Sequence, residues 1–98
     1  MSELDIIKQK ISPILKKYPI ISAGIFGSFA RGEQTEKSDV DILIEVDPNS
    51  VFSLFDLVDV QDSLKYSLGR EVDVCTKQSI SKYIRNRVLS DIRQIYSI

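Results

Sequence analysis

Residues 38–46 read Ser-Asp-Val-Asp-Ile-Leu-Ile-Glu-Val, and their alternation decides the fold. A β-strand sends successive side chains to opposite faces. Val40, Ile42, Ile44 and Val46 therefore share one face, while Asp39, Asp41, Leu43 and Glu45 share the other. The wholly apolar face belongs to a core. On the opposite face Asp39 and Asp41 project side by side, about 7 Å apart at the backbone. Two like charges about 6 Å apart, at an effective dielectric of about 20, repel by about 3 kcal/mol. No cation is supplied locally, because residues 38–64 contain seven acids and no base. Such a pair is tolerated where the acids are well solvated or share a cation, and an all-oxygen site suits the hard ions Mg²⁺ or Mn²⁺. A bare D-x-D is a weak signal, and two solvated aspartates are its commoner explanation. Asp is disfavoured in strands, however, and here it takes two same-face positions in a strong β run.

Upstream, the apolar run Ile20–Phe26 reads as a buried strand that ends at Gly27. Ser28–Arg31 has room for one helical turn, with Gly32 as its C-cap. At such a strand-to-helix turn, free backbone N–H groups favour an anion, and the missing Cβ of Gly27 lets a phosphate approach. The Ser28 hydroxyl can donate to a phosphate oxygen, and Arg31 adds charge. The plainer alternative is a cap, with Ser28 at the N-cap position and Arg31 solvated. Phe29 and Ala30 read as packing residues. No G-x-x-x-x-G-K-[ST] loop occurs. Further upstream, Leu4, Ile7, Ile11, Ile14 and Leu15 repeat at helical spacing behind a Ser2/Asp5 capping pair. Pro13 either kinks this helix or restarts it from Ser12.

Downstream, residues 47–50 form a turn able to cap a helix. That helix carries Leu54, Leu57, Val58, Leu64 and Leu68 on one side and Asp56, Asp59 and Asp62 on the other, ending at Gly69. Val72-Asp73-Val74 is a brief third strand. Its acid is either an edge charge or, if this strand pairs beside residues 39–46 in matching alternation, a third carboxylate on the same face. Three such carboxylates suit two metal ions about 4 Å apart, as in phosphoryl and nucleotidyl transfer. Ile80, Ile84, Val88, Ile92 and Ile95 then step by four or three, which predicts a basic amphipathic C-terminal helix. The resulting order, αβ(α)βαβα, is an α/β sandwich on a small sheet.

Composition narrows the chemistry. Ninety-eight residues make one small domain, and 43% hydrophobic with 28% charged residues is ordinary globular composition. A net charge of −1 argues against direct nucleic-acid binding. With no His and a single Cys75, neither an internal disulfide nor a zinc site of the usual kind is possible. Any reaction must use carboxylates, hydroxyls, backbone amides and Arg or Lys. No apolar run is long enough to span a membrane and no signal peptide is visible, so the expected compartment is the cytosol. Cys75 reads as a packed thiol, and Lys82, Arg85 and Arg87 as an exposed basic face. Tyr18, Tyr66, Tyr83 and Tyr96 suit packing or interfaces better than self-modification.

Together, Gly27-Ser28-Phe29-Ala30-Arg31-Gly32, Ser38-Asp39-Val40-Asp41 and Val72-Asp73-Val74 resemble the DNA polymerase β-like nucleotidyltransferase superfamily. The closest likeness within it is to the minimal nucleotidyltransferases, or MNT domains, over nearly the whole chain. The resemblance implies a small mixed β-sheet flanked by helices, the polymerase β-like palm, with residues 1–98 as a single domain. It implies that Gly27 and Ser28 hold the triphosphate of ATP and that Asp39 and Asp41 ligate two Mg²⁺ ions. Asp73 would ligate the catalytic metal and help deprotonate the attacking hydroxyl. Arg31 falls on the motif's arginine, as a phosphate contact or a loop brace. MNT proteins are commonly paired with a HEPN-type ribonuclease toxin, which implies an antitoxin that adenylylates a partner tyrosine and releases pyrophosphate. One alternative is an antitoxin that acts by occlusion, since residues 38–64 sum to −7 and residues 74–98 carry five bases and one acid. A small-molecule nucleotidyltransferase, of the aminoglycoside type, ranks below both because no second lobe supplies an acceptor pocket.

Overall fold

The computed structural model describes residues 2–98. Its elements are α1 (Glu3–Leu15), β1 (Ile20–Phe26), α2 (Ser28–Arg31), β2 (Val40–Val46), α3 (Leu54–Leu68), β3 (Val72–Thr76), a 3₁₀ turn (Lys77–Ser79), α4 (Lys82–Asp91) and β4 (Arg93–Ser97). The sheet order is β3-β2-β1-β4. β1 runs antiparallel to β2 and β4, whereas β2 and β3 are parallel. Parallel neighbours need a crossover connection, and α3 supplies it. The small mixed sheet expected from the sequence is present.

Helices α1 and α3 cover one face. Ile7, Ile11 and Leu15 from α1 meet Val60 and Leu64 from α3 over Ile25, Val40, Ile42, Ile44, Val72 and Val74. The apolar face of residues 40–46 thus lies in the core. A smaller cluster on the other face joins Leu43, Ile80 and Val88, with Phe26, Cys75 and Ile92 packed against it. That second face also carries the aspartates.

Helix starts follow side-chain chemistry. At α1, Asp5 N–H donates to Ser2 Oγ at 3.2 Å and Ser2 N–H to the Asp5 carboxylate at 3.3 Å, the expected reciprocal cap. Pro13 lies inside α1 and the helix does not restart at Ser12, whose hydroxyl donates to the Lys8 carbonyl at 2.6 Å. At α3 the cap is Ser53 with Asp56, so the turn at residues 47–50 is a separate feature. Asp56 therefore spends its carboxylate on the helix end. Leu54 and Val58, expected on the buried side, are 79% and 56% exposed. Burial centres on Leu57, Val60, Leu64 and Leu68, which puts Leu54 and Val58 on the rim of that arc.

The main correction concerns the C-terminus. The isoleucine spacing predicted one helix through Ile95, but α4 ends at Asp91 and residues 93–97 form β4. Ile95 and Tyr96 are buried against the main core. The competing physical demand is the open edge of β1, whose largely buried backbone needs partners that a helix cannot provide. Ile92 makes the crossing with extended backbone. It passes directly over Gly24, where a Cβ would collide with the Ile92 side chain. Ile84, from the same spacing series, is exposed.

These placements separate two residues that periodicity treats alike. Ile95→Ala should cost about 2–4 kcal/mol of unfolding free energy in urea titration. Ile84→Ala should cost less than about 0.5 kcal/mol.

Candidate active site

The site lies where β1 ends. Gly27 adopts φ 76°, ψ −150°, a conformation reserved for glycine, and occupies the N-cap position of α2 with no side-chain cap. Ser28 is the first residue of the turn, so it does not serve as its cap. The turn is closed by Arg31 N–H donating to the Gly27 carbonyl at 3.2 Å and Glu33 N–H to the Ser28 carbonyl at 2.9 Å. Phe29 and Ala30 are buried and anchor it, as expected.

Asp41 pairs with Phe26 across β1 and with Asp73 across β3. Adjacent strands lie about 4.8 Å apart, so the parallel register places the Asp41 and Asp73 carboxylates side by side on one face. This is the matching alternation that the sequence left conditional. Asp39 precedes the first paired residue of β2 and is exposed, as is Asp73, whereas Asp41 is partly buried. A Cβ on Gly27 would meet the Asp41 carboxylate and force it to turn aside, and the dihedral angle itself calls for glycine.

The electrostatics follow from that crowding. Burial, and then the charges of Asp73 and Asp39, push the Asp41 carboxyl above its usual range, with Arg31 partly opposing them. Burial also pushes up the Cys75 thiol, helped by Asp73 and Asp41, as fits a packed free thiol. The Arg31 guanidinium is held by Asp91 at 2.8 Å and Glu33 at 3.2 Å. The hydrogen bond to Asp91, then that to Glu33, raises the Arg31 pKa. Any phosphate contact by Arg31 would have to share it with these carboxylates.

Among the described residues, no three His, Cys, Asp or Glu side chains converge closely enough to enclose a metal ion by themselves. The donors at hand nevertheless fit a hard divalent cation. They are all carboxylate oxygens, they repel one another, and Mg²⁺ usually takes one or two carboxylates and completes its shell with water and substrate phosphates. Two residues that sequence reading passed over also touch the site. Asp91 braces Arg31, and Arg70 stacks on Phe29 while donating to the Ser38 carbonyl. Neither has a local signal, since each acts on a segment more than thirty residues away. The exposed Tyr66 and Tyr83 contrast with the buried Tyr96.

A sheet presenting carboxylates from two parallel strands beside a Gly-Ser turn is the arrangement that the nucleotidyltransferase resemblance implied. The model of the nucleotidyltransferase domain family matches residues 7–95, and the chain belongs to that family in its minimal, MNT form. A Methanocaldococcus jannaschii protein provisionally named a protein adenylyltransferase is 48% identical over 85 residues, covering 87% of this chain and 89% of that one. The chain also matches a crystal structure of a toxin–antitoxin with AMP-PNP at a TM-score of 0.79 and 22% identity, covering 93% of this chain and 73% of the other. A third match is to a chain in the Shewanella oneidensis complex of a tri-AMPylated HEPN toxin with an MNT antitoxin. There the TM-score is 0.73 and the identity 18%, over 97% and 73% of the two chains. At these identities the two structures establish a shared fold.

The raised Asp41 pKa carries a pH signature. The folded state holds this proton more tightly than the unfolded chain, so the group's contribution to stability is present at low pH and lost as pH rises through the raised value. Asp41→Asn should therefore melt higher than wild type at pH 7 in divalent-free buffer, by about 4–8 °C for each 1 kcal/mol relieved. The difference should shrink as pH falls below about 4. Thermal melts followed by circular dichroism across that range check it.

Proposed function

We propose that this chain is a metal-dependent protein adenylyltransferase that moves AMP from ATP to a tyrosine of a HEPN-type toxin and acts as its antitoxin. The observation that carries this reading is the in-register pairing of Asp41 with Asp73 against Gly27, with Asp39 beside them. The adenylyltransferase name of the Methanocaldococcus relative and the AMPylated toxin in the Shewanella complex support the choice of reaction and partner.

In this reading Gly27 admits the triphosphate close to the backbone, and the Ser28 hydroxyl donates to a phosphate oxygen. Asp39, Asp41 and Asp73 would hold two Mg²⁺ ions, with Mn²⁺ an acceptable substitute. When bound, the metal supplies charge neutralisation and Lewis acidity, which removes the need for a histidine. The acceptor tyrosine oxygen attacks the α-phosphorus in line, the bond to the β-phosphate oxygen breaks, and pyrophosphate leaves. Asp73, exposed at the edge strand, takes the phenolic proton on its carboxylate. Arg31, fixed by Asp91 and Glu33, braces the turn that carries Ser28. Residues 1–98 serve as one domain in a cytosolic setting, and no helix among the described residues is long and apolar enough to cross a membrane.

One observation favours the occlusion reading as a second possibility. The outward side of α3 exposes Phe55 and Tyr66 with Asp59 and Asp62 between them, an apolar and acidic strip suited to a basic partner surface. Intact-mass spectrometry separates the two. The cognate HEPN-type protein, incubated with this chain, ATP and Mg²⁺, should gain one or more AMP units. The Asp39→Asn/Asp41→Asn double variant should give no gain and should no longer relieve toxicity in cells. An unmodified toxin held in a stable complex by both proteins would replace catalysis with occlusion.

A further inference from the structure

Asp39 poses a problem of placement. It stands just outside the paired part of β2, and the sheet ladder reaches it only at its first rung, where Val40 N–H donates to the Glu71 carbonyl at 3.0 Å. The preceding loop closes on itself, with Ser38 N–H on the Thr35 carbonyl at 3.1 Å and Thr35 N–H on Ser38 Oγ at 2.8 Å, and these bonds do not tie it to the sheet. Arg70 supplies a tie on that side, its Nη1 donating to the Ser38 carbonyl at 3.2 Å. The same Arg70 guanidinium lies 4.9 Å from the centre of the Phe29 ring, within cation–π range, and Phe29 is the buried anchor of the Gly27–Ser28 turn.

We infer that Arg70 is a positioning residue that locks the Gly-Ser turn to the Asp39 segment through one half-buried guanidinium. The inference rests on the nucleotidyl-transfer reading and deepens it, because it names what sets the separation between the phosphate-binding turn and the first carboxylate. Arg70 is suited to the task. Its planar group offers one face to the ring while its edge donates in plane to a carbonyl, a combination that the compact ammonium of lysine reproduces only in part. Its location is set by Gly69, which ends α3 in the left-handed conformation and turns the chain toward β3. Arg70 thus acts through Ser38 and Phe29, and small displacements of such supports are costly for a site that depends on geometry.

The test uses the intact chain, Mg²⁺ and the ATP analogue AMP-PNP, with Arg70→Met and Arg70→Lys. Calorimetry should show AMP-PNP binding weakened about tenfold in Arg70→Met and only partly restored in Arg70→Lys. Amide hydrogen exchange supplies a readout that needs no ligand. In Arg70→Met the amides of Val40 and Glu33 should exchange about tenfold faster while those of Ile42 and Ile44 stay protected. Equal acceleration at all four amides would mean general destabilisation and would overturn the inference. Weakened binding with unchanged exchange would also overturn it, by making Arg70 a direct ligand contact, as would wild-type behaviour in both readouts. If wild-type protein binds no nucleotide, the nucleotidyl-transfer reading fails, and the exchange pattern alone decides whether Arg70 locks the two segments.

Discussion

The structure depends on the register of one parallel strand pair. Because Val40 lies opposite Val72 and Ile42 opposite Val74, Asp41 must lie opposite Asp73. A slip of one residue would turn the β3 acid toward the core and its valines toward solvent, at the cost of burying a charge. The apolar halves of the two strands therefore enforce the juxtaposition of their acidic halves. Core packing behind the sheet is the force that holds like charges together in front of it.

Everything around that pair serves to make it tolerable or usable. α3 supplies the crossover that parallel pairing demands and packs Val60 and Leu64 beneath the strands. Gly27 yields the space into which the Asp41 carboxylate fits. Arg31 is near enough to moderate the Asp41 charge, yet Asp91 and Glu33 hold its guanidinium. The result is a sheet end that carries more negative charge than its own cations neutralise, a surplus that a divalent cation would offset.

Much of this was legible from residues 38–46, because alternation at period two assigns every side chain of a strand to a face. The Gly27 turn was legible for a similar reason, since a short helix between two glycines leaves few conformations. β4 was not, because isoleucines spaced by three or four satisfy a helix pattern whether or not the last of them leaves it. Only the need of β1 for a second partner decides the matter, and that need belongs to the sheet as a whole. Arg70 and Asp91 were hidden for a related reason. Their partners, Ser38 and Arg31, are 32 and 60 residues away, and no local pattern encodes such contacts. The α3 rim shows a milder failure, in which apolar character and burial part company at Leu54 and Val58.

The fit of Gly27 against Asp41 also bears on ancestry. A side chain at position 27 would have to turn the carboxylate at position 41 aside, so the two positions are coupled. Loss of the carboxylate would remove the close contact but not the dihedral angle, which still calls for glycine at position 27. A glycine that outlasts the aspartate leaves the way back open to a single substitution at position 41. Loss of the carboxylate is in that sense reversible, and the backbone of residue 27 keeps it so.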